Sequence, residues 1–401
     1  MSRGKYAFLA ALLGLLPMLL PLSVDASVPI LASVAMHFKT STAATQISLS
    51  AVVLGIALGQ LVYGPMSDRL GRKPVILIGI GGYMVCAVAC ANAPSIEALI
   101  SLRFFQGFFA CSGVIVARAV IRDLFDCEAG ARLFALMMGI HGIMPAIAPA
   151  LSGWIEETFG WQAVFWAMAG FAFLTAAAVF FGLAETHPKS NRLSINTSTV
   201  ISNYKRVMRG RSFLKYAICG AFMYGALMAY FAGAPVGLIQ YLELSPIQVG
   251  IAMAVPMVSY IGAQLVVARI THRLGVDGLI RIGSIMAAAS GGAILLFVMI
   301  DYVTVHSLIG PIILILISLA FIIPGTTAGA MSPFAEIAGA ASSLLGFIQF
   351  LLAAAATVVI GLLNDATPLT MAAMICACTF LALFTYYIFV RPIHSRDRSH
   401  G

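Results

Sequence analysis

The chain has 401 residues, of which 61% are hydrophobic and only 9% are charged, and its mean hydropathy is +1.00. A water-soluble fold of this length cannot hide so much apolar surface, so the composition excludes a soluble globular protein. The formal net charge of +8 requires a separate explanation, because a basic chain can bind nucleic acid or follow the charge rules of membrane topology.

Apolar runs long enough to cross roughly 30 Å of hydrocarbon recur along the whole chain. The runs are continuous rather than alternating, which favours transmembrane helices over barrel strands. The first run follows two basic residues but continues toward Ala35, so we interpret it as a retained helix and not as a cleaved signal peptide. We predict twelve spans, near residues 8–33, 44–64, 75–93, 98–118, 132–153, 163–184, 216–235, 247–268, 278–299, 306–327, 339–361 and 369–390.

The basic residues fall on one side of this arrangement. Of the 23 lysines and arginines, all except Lys39 and Arg103 lie at the N-terminus, in or next to the loops after even-numbered spans, or at the C-terminus. This asymmetry predicts that both termini lie in the cytoplasm, as in a multi-pass protein of a bacterial inner membrane. The net charge is then a topology signal, and no nucleic-acid partner is predicted.

The longest polar stretch predicts the domain organisation. Residues 185–212 are interpreted as a cytoplasmic linker, with a short surface helix near 200–208, between an N-terminal six-helix bundle at 1–184 and a C-terminal bundle and tail at 213–401. The segment GPMSDRLGRKP, from Gly64 to Pro74, joins the second and third predicted spans. A divergent copy, ARITHRLGVDG, joins the corresponding spans of the second half, which indicates a duplicated unit with parallel halves.

Several motifs resemble a known transporter family. GPMSDRLGRKP resembles the loop signature of the major facilitator superfamily, and LRFFQG at 102–107 resembles its fourth-helix motif with a buried, proton-coupling arginine. Residues 142–153, with Gly142, Pro145, Pro149 and Gly153, resemble its fifth-helix antiporter motif. The pair Asp25 and Pro29 and the segments ARAVIRD (117–123), GWQAVFW (160–166) and ET (185–186) resemble the bicyclomycin/chloramphenicol-resistance (Bcr/CflA) branch of drug:proton antiporters.

The resemblance implies an all-α membrane protein with twelve transmembrane helices in two parallel pseudo-symmetric six-helix bundles, which would rock about a midplane site. Two positions depart from the pattern of that branch. Ser27 stands where the branch has an aromatic residue, and Met144 stands where many antiporters have glycine. These departures leave the transport function intact and bear on the identity of the substrate.

Two charged residues are candidates for proton coupling. Of the 15 acidic residues, only Asp25 is predicted to lie well inside a span, and a carboxylate in lipid normally faces a cavity, takes up a proton or pairs with a base. Arg103 is the one base predicted deep in a span. The structural alternatives are that Asp25 only hydrogen-bonds a neighbouring helix and that Arg103 only ties helices together through backbone carbonyls.

Candidate substrate-contacting residues share polar or aromatic side chains on predicted spans: Asp25, Gln106, His141, Tyr224, Tyr230 and Gln349. Candidate gating and latch residues are the small, kinking or charged positions of two motifs: Gly64, Asp68, Arg69, Gly71, Arg72, Pro145, Pro149 and Gly153. The alternatives are a satisfied interior histidine, ordinary helix packing and a loop that only determines topology. The seven cysteines form no metal-type cluster, so no metal site is predicted.

These features predict a monomeric proton-coupled exporter of small organic compounds, such as cationic or aromatic drugs. No GxxxxGK[ST] loop occurs, so no cofactor is expected and the proton gradient is the predicted energy source. The first alternative is an uptake symporter or facilitator for a nucleobase or sugar on the same fold. A membrane-embedded enzyme would need clustered His, Asp or Glu at one depth, and the sequence offers only isolated candidates.

Overall fold

The computed structural model describes residues 3–125, 133, 134, 136, 137, 139–187, 197–363 and 367–390. Helices account for almost all of these described residues, among which there is no β-strand. Eleven of the described helical segments are long and apolar enough to cross a membrane, and the fifth predicted span, which lies partly outside the described residues, ends in a further, shorter helix. The predicted twelve-helix membrane fold agrees with this structure.

The chain divides into two compact units, Met1–Ser202 and Asn203–Gly401. The division falls within the predicted linker, and the linker's boundaries stay a prediction. A helix occupies Thr197–Met208, three residues longer at its start than the predicted surface helix.

The helices of unit 1 follow one another with short connections. They are α1 (Arg3–Leu15), α2 (Leu19–Asp25), α3 (Leu31–His37), α4 (Thr42–Leu70), α5 (Arg72–Ala91), α6 (Ile96–Leu124), α7 (Ile143–Phe159) and α8 (Trp161–Gly182). The linker helix Thr197–Met208 is α9. Helices α4 and α6 each begin after a serine, Ser41 or Ser95, whose hydroxyl accepts a hydrogen bond from the backbone N–H three residues on.

The first predicted span is interrupted rather than continuous. A 3-10 turn at Leu16–Met18 separates α1 from α2, and α2 ends at Asp25. Proline explains both interruptions, because it has no N–H to donate to the carbonyl four residues earlier. Pro17 falls in the first interruption, and Pro29 stands where an N–H would have bonded the Asp25 carbonyl. The prediction of one helix over 8–33 was therefore wrong in its continuity.

Glycines let α4 and α6 pack closely. A Cβ atom at Gly55 of α4 would collide with the Phe104 carbonyl of α6, and one at Gly107 of α6 would collide with the Val52 carbonyl of α4. Gly55 and Gly59 form a GxxxG motif, which is typical of closely packed helices, and both glycines lie against α6.

We expect Gly55→Ala and Gly107→Ala to destabilise unit 1 by about 1–3 kcal/mol, because each new methyl group forces two backbones apart. Thermal unfolding of the detergent-solubilised protein measures this as a lower Tm. Gly81→Ala on α5 is the matched control, since no atom lies within 4 Å of its would-be Cβ. A Tm that falls equally in all three variants would argue against close packing as the cause.

The described residues of unit 2 form long helices. They are α10 (Arg211–Pro235), α11 (Pro246–Met299), α12 (Val305–Met331), α13 (Ala338–Leu362) and α14 (Leu369–Thr385). Short π-helical turns, Val236–Tyr241 and Tyr386–Val390, extend α10 and α14. Helix α11 covers two predicted spans, which meet at Gly275, where φ is 66°.

The two duplicated loops share a backbone conformation, a glycine with positive φ. Gly71 has φ 99° and ψ 161°, and Gly275 has φ 66° and ψ 171°. Each glycine follows an Arg-Leu pair at the corner between the second and third spans of its unit. Glycine tolerates positive φ without a steric cost, which explains why both copies of the repeat have glycine at this position.

Candidate functional site

Asp25 lies at a helix end inside unit 1. It is the last residue of α2 and is 4% exposed, and α2 packs against α6 and α7. The expectation that Asp25 lies well inside a helix is corrected, because the helix stops at this residue. The position is nonetheless buried.

Arg103 binds the same end of α2. Its guanidinium is 1% exposed and donates to the Ser23 carbonyl at 2.6 Å and to the Ser27 Oγ at 2.5 Å. It also donates to the Gln106 Oε1 at 2.6 Å. The two serines flank Asp25 in sequence, so the structure brings the two proton-coupling candidates to one place.

The Arg103 guanidinium has neutral hydrogen-bond partners. No ion pair joins the guanidinium to Asp25 among the described residues, although Asp25 lies between the two serines to which the guanidinium donates. A buried cation is costly without a counter-charge. A coupling role for Asp25 and Arg103 stays a prediction.

Aromatic and sulfur-containing side chains lie around Arg103. The Phe165 ring of α8 lies 5.5 Å from the guanidinium carbon, a cation–π distance. The buried Gln106 also donates to the Met168 sulfur at 3.6 Å, and the Ser23 hydroxyl donates to the Tyr83 hydroxyl at 3.3 Å. Helices α2, α5, α6 and α8 thus fix one polar cluster in an apolar surrounding.

His141 precedes α7 and is half-buried. Its Nδ1 is buried without a hydrogen-bond partner among the described residues, and its ring lies within hydrogen-bond reach of the Pro17 backbone. The side chain is thus placed against the 3-10 turn of the first span. Whether it contacts substrate stays a prediction.

The candidates of unit 2 fall into two places. Tyr224 of α10 contacts Phe350 of α13 with the two rings tilted and their centroids 5.5 Å apart, next to the buried Gln349. The Gln349 Nε2 has no partner among the described residues and faces the open side of Gly220, beside Thr326 Oγ1. Tyr230 is buried against Phe231, nearly two turns further along α10. The structure groups Tyr224 with Gln349 and leaves Tyr230 apart.

A charged cluster forms where α4 meets α5. Arg72 is 1% exposed, and its guanidinium donates to Asp68 at 2.5 Å, to Ser67 at 2.8 Å and to Asp123 of α6 at 2.8 Å. The Arg72 backbone N–H donates to the Glu185 Oε1 at 2.9 Å. We call these five residues the Arg72 cluster. It ties the Gly71 corner to the end of α6 and to the chain that leaves α8.

The other predicted latch residues contribute locally. The Gly64 carbonyl accepts from the Ser67 hydroxyl at 2.9 Å, and Gly71 supplies the positive φ of the corner. Arg69 is exposed and has no salt bridge among the described residues. A latch function for this group stays a prediction.

The antiporter-like stripe occupies one face of α7. Pro149 and Gly153 are both buried on this helix, whereas Pro145 lies in its first turn and is half-buried. The first N–H groups of a helix have no internal partner, so Pro145 removes no helical bond, but Pro149 removes the bond to the Pro145 carbonyl.

We therefore expect the two prolines to differ in their effect on transport. Pro149→Ala restores a helical hydrogen bond and stiffens α7, so the initial transport rate should fall several-fold, while Pro145→Ala should stay near wild type. Rates in membrane vesicles, normalised to the amount of protein, measure this difference. Equal transport rates for the two variants would indicate that Pro149 contributes only to helix packing.

Sequence reasoning gave no site role to three acidic residues: Asp123, Glu185 and Glu156. Asp123 and Glu185 were recognised only as parts of family-like segments, yet both bind Arg72. Their predicted position on the same side of the membrane as Arg72 was the available signal. Glu156 was assigned to a loop because the fifth span was predicted to end at residue 153, but α7 continues to Phe159 and Glu156 is buried.

Comparison with known proteins defines the class of the chain. The sequence profile of the Major Facilitator Superfamily matches residues 13–357. The chain belongs to this superfamily of membrane transporters, as its loop and fourth-helix motifs predicted.

Two relatives and one solved structure are similar to this chain over most of its length. The bicyclomycin resistance protein homolog of Haemophilus influenzae (strain ATCC 51907 / DSM 11121 / KW20 / Rd) is 28% identical over 99% of this chain and 100% of the relative. Multidrug resistance protein D of Escherichia coli (strain K12) is 26% identical over 87% of both chains. A crystal structure of a D-xylose-proton symporter shares the fold, with a TM-score of 0.78, 15% identity and coverage of 97% of this chain and 98% of the other.

Proposed function

We propose that this protein exports small organic compounds across a bacterial inner membrane in exchange for protons. One observation carries the proposal. The buried Asp25 lies between Ser23 and Ser27, to which the Arg103 guanidinium donates hydrogen bonds. Gain and loss of a proton by Asp25 would then couple to movement of the α2 end, because Arg103 donates hydrogen bonds to Ser23 and Ser27 of the same segment.

The proposed mechanism is alternating access, in which one site opens to each side of the membrane in turn. Protonation of Asp25 and occupancy by substrate compete, so each ligand promotes release of the other. Arg103 keeps its charge throughout and holds Ser23 and Ser27, so it positions the α2 end and does not carry the proton. No further cofactor enters the scheme, and the proton gradient is the energy source.

We propose cationic or aromatic organic molecules as the substrate class. In unit 1, Asp25 offers a counter-charge. In unit 2, the Tyr224–Phe350 pair offers aromatic faces next to Gln349, whose Nε2 has no hydrogen-bond partner among the described residues. The names of the relatives, bicyclomycin resistance and multidrug resistance, support drug-like compounds. The orientation proposed here places both termini in the cytoplasm, and the protein acts as a monomer.

Uptake by symport is the rival function. The D-xylose-proton symporter shares the fold but, at 15% identity, supports the architecture alone. The Pro149 and Gly153 stripe of α7, which resembles an antiporter motif, favours export over uptake.

A susceptibility profile tests the proposal. An efflux-deficient bacterial host that expresses the protein should tolerate higher concentrations of several cationic or aromatic antibiotics than the host with empty vector. An uncoupler at a sublethal dose should remove the difference in accumulation of a fluorescent substrate. Greater sensitivity upon expression would instead indicate uptake.

A further inference from the structure

Glu156 is a second buried acid in unit 1. It is 7% exposed and lies on the buried face of α7 that also carries Pro149 and Gly153. Its Oε1 accepts a hydrogen bond from the Ser33 hydroxyl of α3. Its Oε2 is buried and has no hydrogen-bond partner among the described residues. One carboxyl oxygen is therefore hydrogen-bonded, and the other is buried from solvent with no donor in the part of the chain that the structure describes.

The elements packed around α7 offer little positive charge to this carboxyl. Helix α8 carries no ionisable side chain, and the one ionisable side chain of α2 is Asp25, also an acid. On α3 the ionisable residue is His37, which is exposed with its ring 5.2 Å from Trp161. Lys39, after α3, is exposed, and the neighbouring acid Glu157 is exposed as well.

Burial without a cation favours one chemical form. An ionised carboxylate with a bare buried oxygen is far more costly than a neutral carboxylic acid, which needs only modest hydrogen bonding. Ser33 can donate to Oε1 in either form, so the proton belongs on Oε2. The carboxylate form requires water, and water reaches Oε2 only if α3 separates from α7.

We propose that Glu156 and Ser33 form a second proton-binding site, distinct from Asp25. It lies at the end of unit 1 where α7 turns into α8 at Gly160, whereas the Arg72 cluster lies at the opposite ends of the long helices. Proton binding stabilises the closed contact between α3 and α7, and proton release accompanies its opening. The site does not depend on the direction of transport or on the identity of the substrate.

Infrared difference spectra of the purified protein, recorded between mildly acidic and mildly alkaline buffer, test this proposal without any substrate. Wild type should show the C=O stretch of a buried protonated carboxyl that Glu156→Gln lacks and Glu157→Gln retains. The protons released on alkalinisation should fall by about one per molecule in Glu156→Gln, in line with the loss of a single titrating group. Asp25→Asn should keep the Glu156 band.

Ser33→Ala keeps the test decisive if Glu156→Gln does not fold. Loss of the Ser33 hydrogen bond should shift the frequency of the Glu156 band without removing it. A Glu156→Gln spectrum identical to wild type, or a Ser33→Ala spectrum without any shift, would overturn the proposal. Since no transport step is measured, failure here leaves the exporter function untouched, and failure of the exporter function leaves this site untouched.

Discussion

Asp25→Asn should abolish substrate-induced proton release. Asparagine keeps the volume and hydrogen-bonding capacity of the side chain, but it cannot ionise, so substrate binding has no proton to displace. A pH-sensitive dye in weakly buffered detergent solution measures the release when substrate is added to the purified protein. Cationic substrates should also bind more weakly to the variant, because their counter-charge is lost, whereas a neutral substrate should still bind.

Asp25→Glu is the matched variant that retains the charge. It should keep partial proton release and shift the pH optimum of transport, since its carboxyl reaches a different position relative to Arg103. Equal proton release from Asp25→Asn and wild type would show that a residue other than Asp25 carries the released proton. His141, whose buried Nδ1 has no partner among the described residues, would then be the next candidate to substitute.

Arg72→Gln should impair both folding stability and transport. The guanidinium holds Asp68 and Asp123, and without it two carboxylates remain close together with no cation between them. Breaking a buried pair by removing one partner costs roughly 3–5 kcal/mol. The side chain of Asp68 is 44% exposed, so we expect a loss near the low end of that range.

Arg69→Gln is the control for this prediction. It removes the same charge three residues earlier in the same loop, but Arg69 is exposed and lies outside the Arg72 cluster. The unfolding temperature and the transport rate should fall in Arg72→Gln and stay near wild type in Arg69→Gln. If both variants behave alike, the loop determines topology and the cluster has no latch function.

Much of the fold could be predicted because lipid imposes simple rules on sequence. A helix satisfies its own backbone, and a run of apolar residues must match the bilayer thickness, so the spans were visible in composition alone. The repeat was visible because Gly71 and Gly275 share a positive φ that favours glycine at both corners. Local breaks were less visible, because Pro17 and Pro29 change hydrogen bonding without changing hydropathy.

The candidate site was predicted in part. Asp25 and Arg103 stood out because charge is rare in a span, and the structure places them around one helix end. Glu156 was missed because the fifth span was predicted to end at residue 153, which placed Glu156 and Glu157 outside the spans alike. Only the three-dimensional contact with Ser33 shows that one of them is buried and the other is exposed.

Exchange of substrate for protons can be measured as a change of luminal pH in proteoliposomes. Purified protein in proteoliposomes, with a pH-sensitive dye inside and no pH gradient, is given an inward gradient of a transported substrate. Antiport predicts that the lumen becomes more alkaline as substrate enters and that Asp25→Asn liposomes show no change. Acidification of the lumen as substrate enters would identify a symporter and contradict the account.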